Sequence, residues 1–65
     1  MNKPNVIRVV VLMKGKSSRR FVFYQEEFGI TATIQCNCDL TIYSVSEEYA
    51  NREIIDLVHK GYKVL

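Results

Sequence analysis

The chain has 65 residues, a formal net charge of +2 and 48% hydrophobic residues, a composition that indicates one small globular domain over residues 1–65. Folding at this length removes only about 60% of the unfolded chain's surface from water, so we expect a modest core. The net charge is too small to indicate a polyanion partner by itself, and the longest apolar stretch, Val9 to Met13, is far short of the roughly 20 residues of a membrane span.

The N-terminal part of the chain predicts a β-hairpin. Met1 to Asn5 is polar and contains the single proline, which favours a flexible lead-in. Val6 to Met13 is rich in β-branched residues and predicts a first strand, and Lys14 to Ser18 supplies the glycine and serines of a hairpin loop. The aromatic segment Arg19 to Tyr24 then predicts the returning strand.

The middle of the chain carries the clearest strand pattern. From Ile30 to Tyr43, apolar and polar residues alternate without a break. A straight strand of that length would run roughly 46 Å at about 3.3 Å per residue, whereas a domain of this size is only about 28 Å across. We therefore expect a turn near Asn37 to Asp39, which divides the segment into two strands.

The C-terminal part predicts one helix. Ser44 and Glu47 have the spacing of a capping box, and apolar residues then recur at helical spacing up to Gly61, the predicted stop residue. Acidic residues crowd the first turns and basic residues fall in the last turn, as the helix dipole prefers. The final segment, Tyr62 to Leu65, predicts a tail or a short edge strand.

The expected fold class is therefore α+β. We predict a small antiparallel sheet of three or four strands, with the N-terminal hairpin first and one C-terminal helix packed on one face. A short final strand is compatible with the pattern.

Both faces of the predicted hairpin are apolar, whereas one helix covers only one face of a sheet. The uncovered face should form an exposed apolar patch, which usually marks an interface in soluble proteins. A central strand whose second face is covered by local loops explains the pattern equally well. The hypothesis of a protein-binding surface places it on the hairpin face with these residues: Arg8, Val10, Leu12, Phe21, Phe23 and Tyr24.

These features favour a small non-catalytic binding module, a regulator or inhibitor of another protein. Self-association into a homodimer is also expected, because small cores usually need a disulfide, a metal or a second subunit. We expect no small-molecule substrate, no cofactor and no membrane association. The N-terminus lacks the pattern of a secretory signal, so the predicted location is cytoplasmic.

Nucleic-acid binding is the alternative function. Four basic residues lie within seven positions around the hairpin loop, where they could hold phosphates: Lys14, Lys16, Arg19 and Arg20. The neighbouring strand aromatics resemble a stacking surface for unpaired bases. Solvated hairpin tips are often basic, however, and strand aromatics usually belong to the core.

Cys36 and Cys38 are the two cysteines. On an extended strand their Cα atoms would lie roughly 6.5 to 7 Å apart, which disfavours a relaxed disulfide, so we expect reduced, buried thiols. A metal site with His59 as a third ligand is a weaker interpretation, since no fourth ligand is evident. His59 is the only histidine, and Glu26 and Glu27 are adjacent and diverge, so no catalytic set is predicted.

Overall fold

The computed structural model describes residues 5–37 and 39–65. Its strands are β1 (Asn5–Lys14), β2 (Ser17–Glu26), β3 (Gly29–Cys36), β4 (Asp39–Ser46) and β5 (Lys63–Val64), and its helix is α1 (Glu47–His59). The strands form one antiparallel sheet in the order β4-β3-β2-β1-β5. The α+β class is confirmed, with five strands where three or four were predicted. The predicted lead-in lies outside the described residues except for Asn5, which already belongs to β1.

The first hairpin closes through a tighter turn than the predicted loop. Lys14 pairs with Ser17, so only Gly15 and Lys16 connect the strands. Gly15 has φ +60°, which places the positive φ at the first central position, as in a type II′ turn. The β1–β2 register then continues with one irregularity, a bulge between Val6 and Arg8.

The long alternating segment turns where the sequence predicts it. β3 ends at Cys36 and β4 begins at Asp39. Asn37 braces this turn against the first hairpin: its side chain accepts a hydrogen bond from the Ser18 amide at 3.0 Å and donates to the Lys16 carbonyl at 2.7 Å. The two turns therefore lie side by side at one end of the sheet.

Helix α1 begins two residues later than the capping-box spacing indicated. Ser46 is the N-cap, and its Oγ accepts a hydrogen bond from the Tyr49 amide at 3.2 Å. Ser44 cannot cap the helix because β4 continues through Val45 and Ser46 after it. The described residues contain no helix with the length and apolar character of a membrane span, α1 having 13 residues.

The helix ends where the sequence predicts. Lys60 is the C-cap, and Gly61 follows with φ +102°, a backbone conformation that favours glycine. The Tyr62 amide donates to the Leu57 carbonyl and the Gly61 amide to the Val58 carbonyl, both at 3.0 Å, which is the Schellman pattern. This reversal returns the chain to the sheet, where Lys63 and Val64 pair with the end of β1.

The core lies between α1 and one face of the sheet. Cross-strand pairs build that face, with Val10 opposite Phe21 and Phe23 opposite Ala32. The helix contributes one apolar stripe at helical spacing. The buried residues are Val10, Leu12, Phe21, Phe23, Ala32, Ala50, Ile54 and Leu57.

Two neighbouring residues of β1 test which sheet face is buried. Leu12 is 0% exposed and Met13 is 40% exposed on the other face. Leu12→Ala should lower the free energy of unfolding by about 2–5 kcal/mol, because it leaves a cavity in the core. Met13→Ala should change it by about 0.5 kcal/mol or less. Urea denaturation followed by circular dichroism measures both; equal losses would contradict the fold.

Candidate functional site

The hairpin face predicted to bind a protein is the buried face of the sheet. Val10 is 8% exposed, and Leu12, Phe21 and Phe23 are at most 1% exposed beneath α1. These four residues are core residues and cannot form a surface in the folded domain. Their assignment as exposed contacts was wrong, because the helix packs on the opposite hairpin face from the one expected.

The other two predicted contact residues lie on different faces of the sheet. Arg8 is on the helix side: its Nη1 donates to Asn51 Oδ1 at 3.0 Å, and its guanidinium carbon lies 4.7 Å from the centroid of the Phe23 ring. The arginine thus covers the end of the core through a cation–π contact. Tyr24, half-buried, pairs with Val6 and Thr31 on the face away from the helix.

The face of the sheet opposite α1, here called the open face, carries a patch of apolar side chains. The register places Val9 opposite Val22, and both residues point away from the helix. Val9 is 49% exposed, and none of the described helices and strands lies over it. The apolar patch consists of Val6, Val9, Val11 and Met13 of β1 with Val22 and Tyr24 of β2.

Polar residues and a few charges surround this patch. On the β3 side the register continues with Thr31, Thr33 and Gln35. Arg20 and Lys63 lie on the same face toward the first turn, since Arg20 pairs with Val11 and Lys63 with Met13. The patch is therefore bordered by hydroxyl and amide groups along one side and by positive charge at one end.

Most of the charged residues at the two ends of the sheet and helix separate along the strand direction, with Asp39 and Asp56 as exceptions toward the basic end. The Lys14 ammonium donates to the Lys60 carbonyl, which puts the first turn beside the C-terminus of α1. At the other end, Thr31 donates to the Glu26 carboxylate and pairs with Ser46, which puts the turn between β2 and β3 (residues 27–28) beside the N-terminus of α1. The basic end carries Lys14, Lys16, Arg20, Lys60 and Lys63, and the acidic end carries Glu26, Glu27, Glu47 and Glu48.

The four basic residues of the nucleic-acid hypothesis do not share one surface. Lys14 is engaged at the helix C-terminus, and Lys16 is exposed in the turn. Arg19 and Arg20 are consecutive strand residues and lie on opposite faces of the sheet. The structure brings these residues to the same end of the domain without forming a continuous basic groove.

Arg19 is held in one position by its neighbours. Its Nη1 donates to Cys36 Sγ at 2.7 Å, to Ser17 Oγ at 3.3 Å and to the Ser18 carbonyl at 3.4 Å. Its guanidinium carbon lies 5.8 Å from the centroid of the Tyr62 ring, and the Tyr62 hydroxyl is 2.7 Å from Ser17 Oγ. The side chain is partly buried and ordered by contacts on several sides.

The expectation of two reduced thiols is wrong for Cys36, which is disulfide-bonded. The extended spacing behind that expectation ends at Cys36, because β3 stops there and Asn37 lies in a turn. Cys38 is outside the described residues. Among residues 5–37 and 39–65, no group of three or more His, Cys, Asp or Glu side chains is placed to hold a metal ion.

A pocket of about 280 Å³ opens on the helix side, between α1 and β4. Its helix wall is formed by Tyr49, Glu53 and Leu57, which recur at four-residue spacing and so lie on one side of α1. The β4 wall is formed by Tyr43 and Val45. Both tyrosines are about half exposed, at 53% and 54%.

The floor of the pocket is apolar and one end carries a cation. Phe21 and Ile34 are paired across β2 and β3 and form the floor, and Arg19 lines the same pocket two residues before Phe21. Sequence reasoning missed this site because its residues come from four elements. The only local signal was the pair of tyrosines flanking the start of α1.

Comparison of the chain with protein-family models, with curated proteins and with solved structures finds no match. A function for this chain therefore has to be inferred from its own residues and their geometry.

Substitutions of the consecutive residues Arg19 and Arg20 test whether the two side chains lie on opposite faces of the sheet. Arg19→Gln should lower the free energy of unfolding by about 1.5–3 kcal/mol, because it removes hydrogen bonds from a charged, partly buried group. Arg20→Gln, at an exposed position, should change it by about 0.5 kcal/mol or less. Thermal and urea unfolding of the two variants compare these effects; equal losses would contradict the different roles of the arginines.

Proposed function

We propose that this chain is a non-catalytic protein-binding module, a small regulator or inhibitor whose partner docks on the open face of the sheet. The observation that carries the proposal is the apolar patch around Val9, which is 49% exposed, and Val22, which is partly buried, on a face that no described element covers. Contiguous exposed apolar surface of this kind usually marks a protein interface.

The composition of the patch favours a protein partner over a small ligand. Valine has little side-chain entropy to lose on binding, and strand residues are already fixed by the sheet. Tyr24 adds an amphipathic ring, a residue type that is enriched at interfaces. The open face is therefore preorganised for docking against another apolar surface.

The charges on the open face define the kind of surface that the partner presents. Arg20 and Lys63 border the patch at the basic end, and Glu26 lies on the same face at the acidic end. A complementary surface is apolar in the middle, acidic opposite Arg20 and basic opposite Glu26. Phe28, 98% exposed in the turn beside Glu26, extends the apolar contact at that end.

The open face of a second copy of the chain has this complementary pattern when that copy is turned end for end. In a two-fold face-to-face pair, each basic end would oppose the acidic end of the other copy. Self-association is therefore one form that this proposal takes, and it would add buried surface to the small core of a 65-residue domain.

The nucleic-acid alternative has weaker support. Its basic residues are divided between the two faces of the sheet and the turn, and Lys14 is already committed to the Lys60 carbonyl. Phe21 and Phe23, which were candidates for base stacking, are buried.

The test compares a variant of the open face with a control variant of the helix surface. Val9→Glu/Val22→Glu puts two carboxylates on the open face, and Ile55→Glu puts one on the outer side of α1, where Ile55 is 56% exposed. Each variant is measured by light scattering across a concentration series and by photo-cross-linking in the producing cells. Proteins identified by cross-linking are then purified for titration calorimetry.

The wild type should form either a homodimer or a complex with a purified partner. The double variant should weaken that association about 30-fold or more, the effect of losing a hot spot, while Ile55→Glu leaves it unchanged. Circular dichroism must show that both variants are folded. A monomeric wild type without specific cross-links, or equal weakening by both variants, would refute the proposal.

A further inference from the structure

The pocket between α1 and β4 lies on the opposite side of the sheet from the open face, and its chemistry is different. An apolar floor of Phe21 and Ile34 stands between two half-exposed tyrosines, with one arginine at the edge. Ligand sites typically combine apolar walls with a few polar groups that fix the orientation of the ligand.

Arg19 is the fixed polar group of this pocket. Every hydrogen bond that its side chain makes to the described residues uses Nη1, so the donors on Nε and Nη2 have no partner among them. A guanidinium offers such donors in a planar fork that matches a carboxylate with two parallel hydrogen bonds. The contacts to Ser17, Ser18 and Cys36 hold the group in place before any ligand arrives.

Glu53 also lines the pocket but differs from Arg19 in one respect. Among the described residues, the Glu53 carboxylate makes no hydrogen bond and no ion pair, and Arg19 is not its partner. Both side chains are partly buried, but only Arg19 is held in place by hydrogen bonds. The anchored charge decides which ligand is recognised, and it is positive.

We propose that this pocket binds a small carboxylate with an aromatic or branched apolar body, its carboxylate on Arg19 and its body between Tyr43 and Tyr49. The pocket volume of about 280 Å³ lies just below the range of about 300–1,000 Å³ that is typical of sites for drug-sized ligands, which favours a small ligand. A single aromatic ring with a short acid chain is of that size. Such a carboxylate occurs in free organic acids and at the C-terminus of a peptide that ends in an apolar residue.

The experiment is an amide-resolved NMR titration with three probes of the same shape: phenylacetate, phenethyl alcohol and phenethylamine. Phenylacetate should bind with a dissociation constant of about 1 mM or tighter and shift the amides of Tyr43, Val45, Tyr49 and Glu53. The neutral alcohol should bind about tenfold more weakly or worse, because it cannot form the charged pair of hydrogen bonds. Equal binding of the alcohol, or preferred binding of the amine, would refute the proposal.

Two variants should move the affinity for phenylacetate in opposite directions. Arg19→Lys keeps the charge but loses the planar fork, and should weaken binding about tenfold. Glu53→Gln removes a negative charge from the wall and should tighten it. Arg52→Gln, at an exposed position of α1, is the control and should leave it unchanged.

The readout is the ratio of acid to alcohol affinity, which a loss of stability alone would not change. An unchanged ratio in Arg19→Lys would overturn the role of Arg19.

A short peptide ending in phenylalanine, tested as free acid and as C-terminal amide, then separates the two sources of carboxylate. Tighter binding of the peptide acid than of phenylacetate identifies a peptide terminus, and weaker binding identifies a free acid.

Discussion

The pairing of Val10 with Phe21 is the constraint from which the rest of this structure follows. Because strand residues alternate between faces, that register fixes which side chains of β1 and β2 share a face, and α1 packs on the face that carries this pair. It buries Leu12 and Phe23 and turns Val9 and Val22 to the other side. Both candidate sites depend on it, since one lies on each face of the same sheet.

Much of the chain's local structure was predictable because each signal is local. The alternation from Ile30 onward indicates strands, its length requires a turn, and Asn37 marks the place. Gly61 ends the helix because only a residue that tolerates positive φ suits that position. The helix start was displaced because Ser44 and Ser46 are both competent caps, and the length of β4 decides between them, since the strand continues through Ser46.

The face of the hairpin was not predictable for a physical reason. Both faces of β1 are dominated by valine, leucine and methionine, so hydrophobicity does not distinguish them. Arg8 suggested that its face was exposed, but its guanidinium reaches over Phe23 to Asn51 at the edge of the core. The presence of two apolar faces could be inferred from composition, whereas which of the two faces stays exposed depends on where α1 packs. The pocket depends on the same packing.

The apolar residues of the open face carry a risk of aggregation, and this cost bears on why they are present. A helix on a sheet is already a complete two-layer domain, so the valines on the uncovered side contribute little to the folding of this chain. Exposed apolar strand surface also favours aggregation, which polar substitutions on that face would reduce without disturbing the core. The neighbouring strand β3 shows that such substitutions fit the same sheet, since Thr31 and Thr33 occupy equivalent positions on that face. Apolar residues at Val9 and Val22 are therefore not required by the fold, and the proposed partner, by covering them, would supply a reason for their presence.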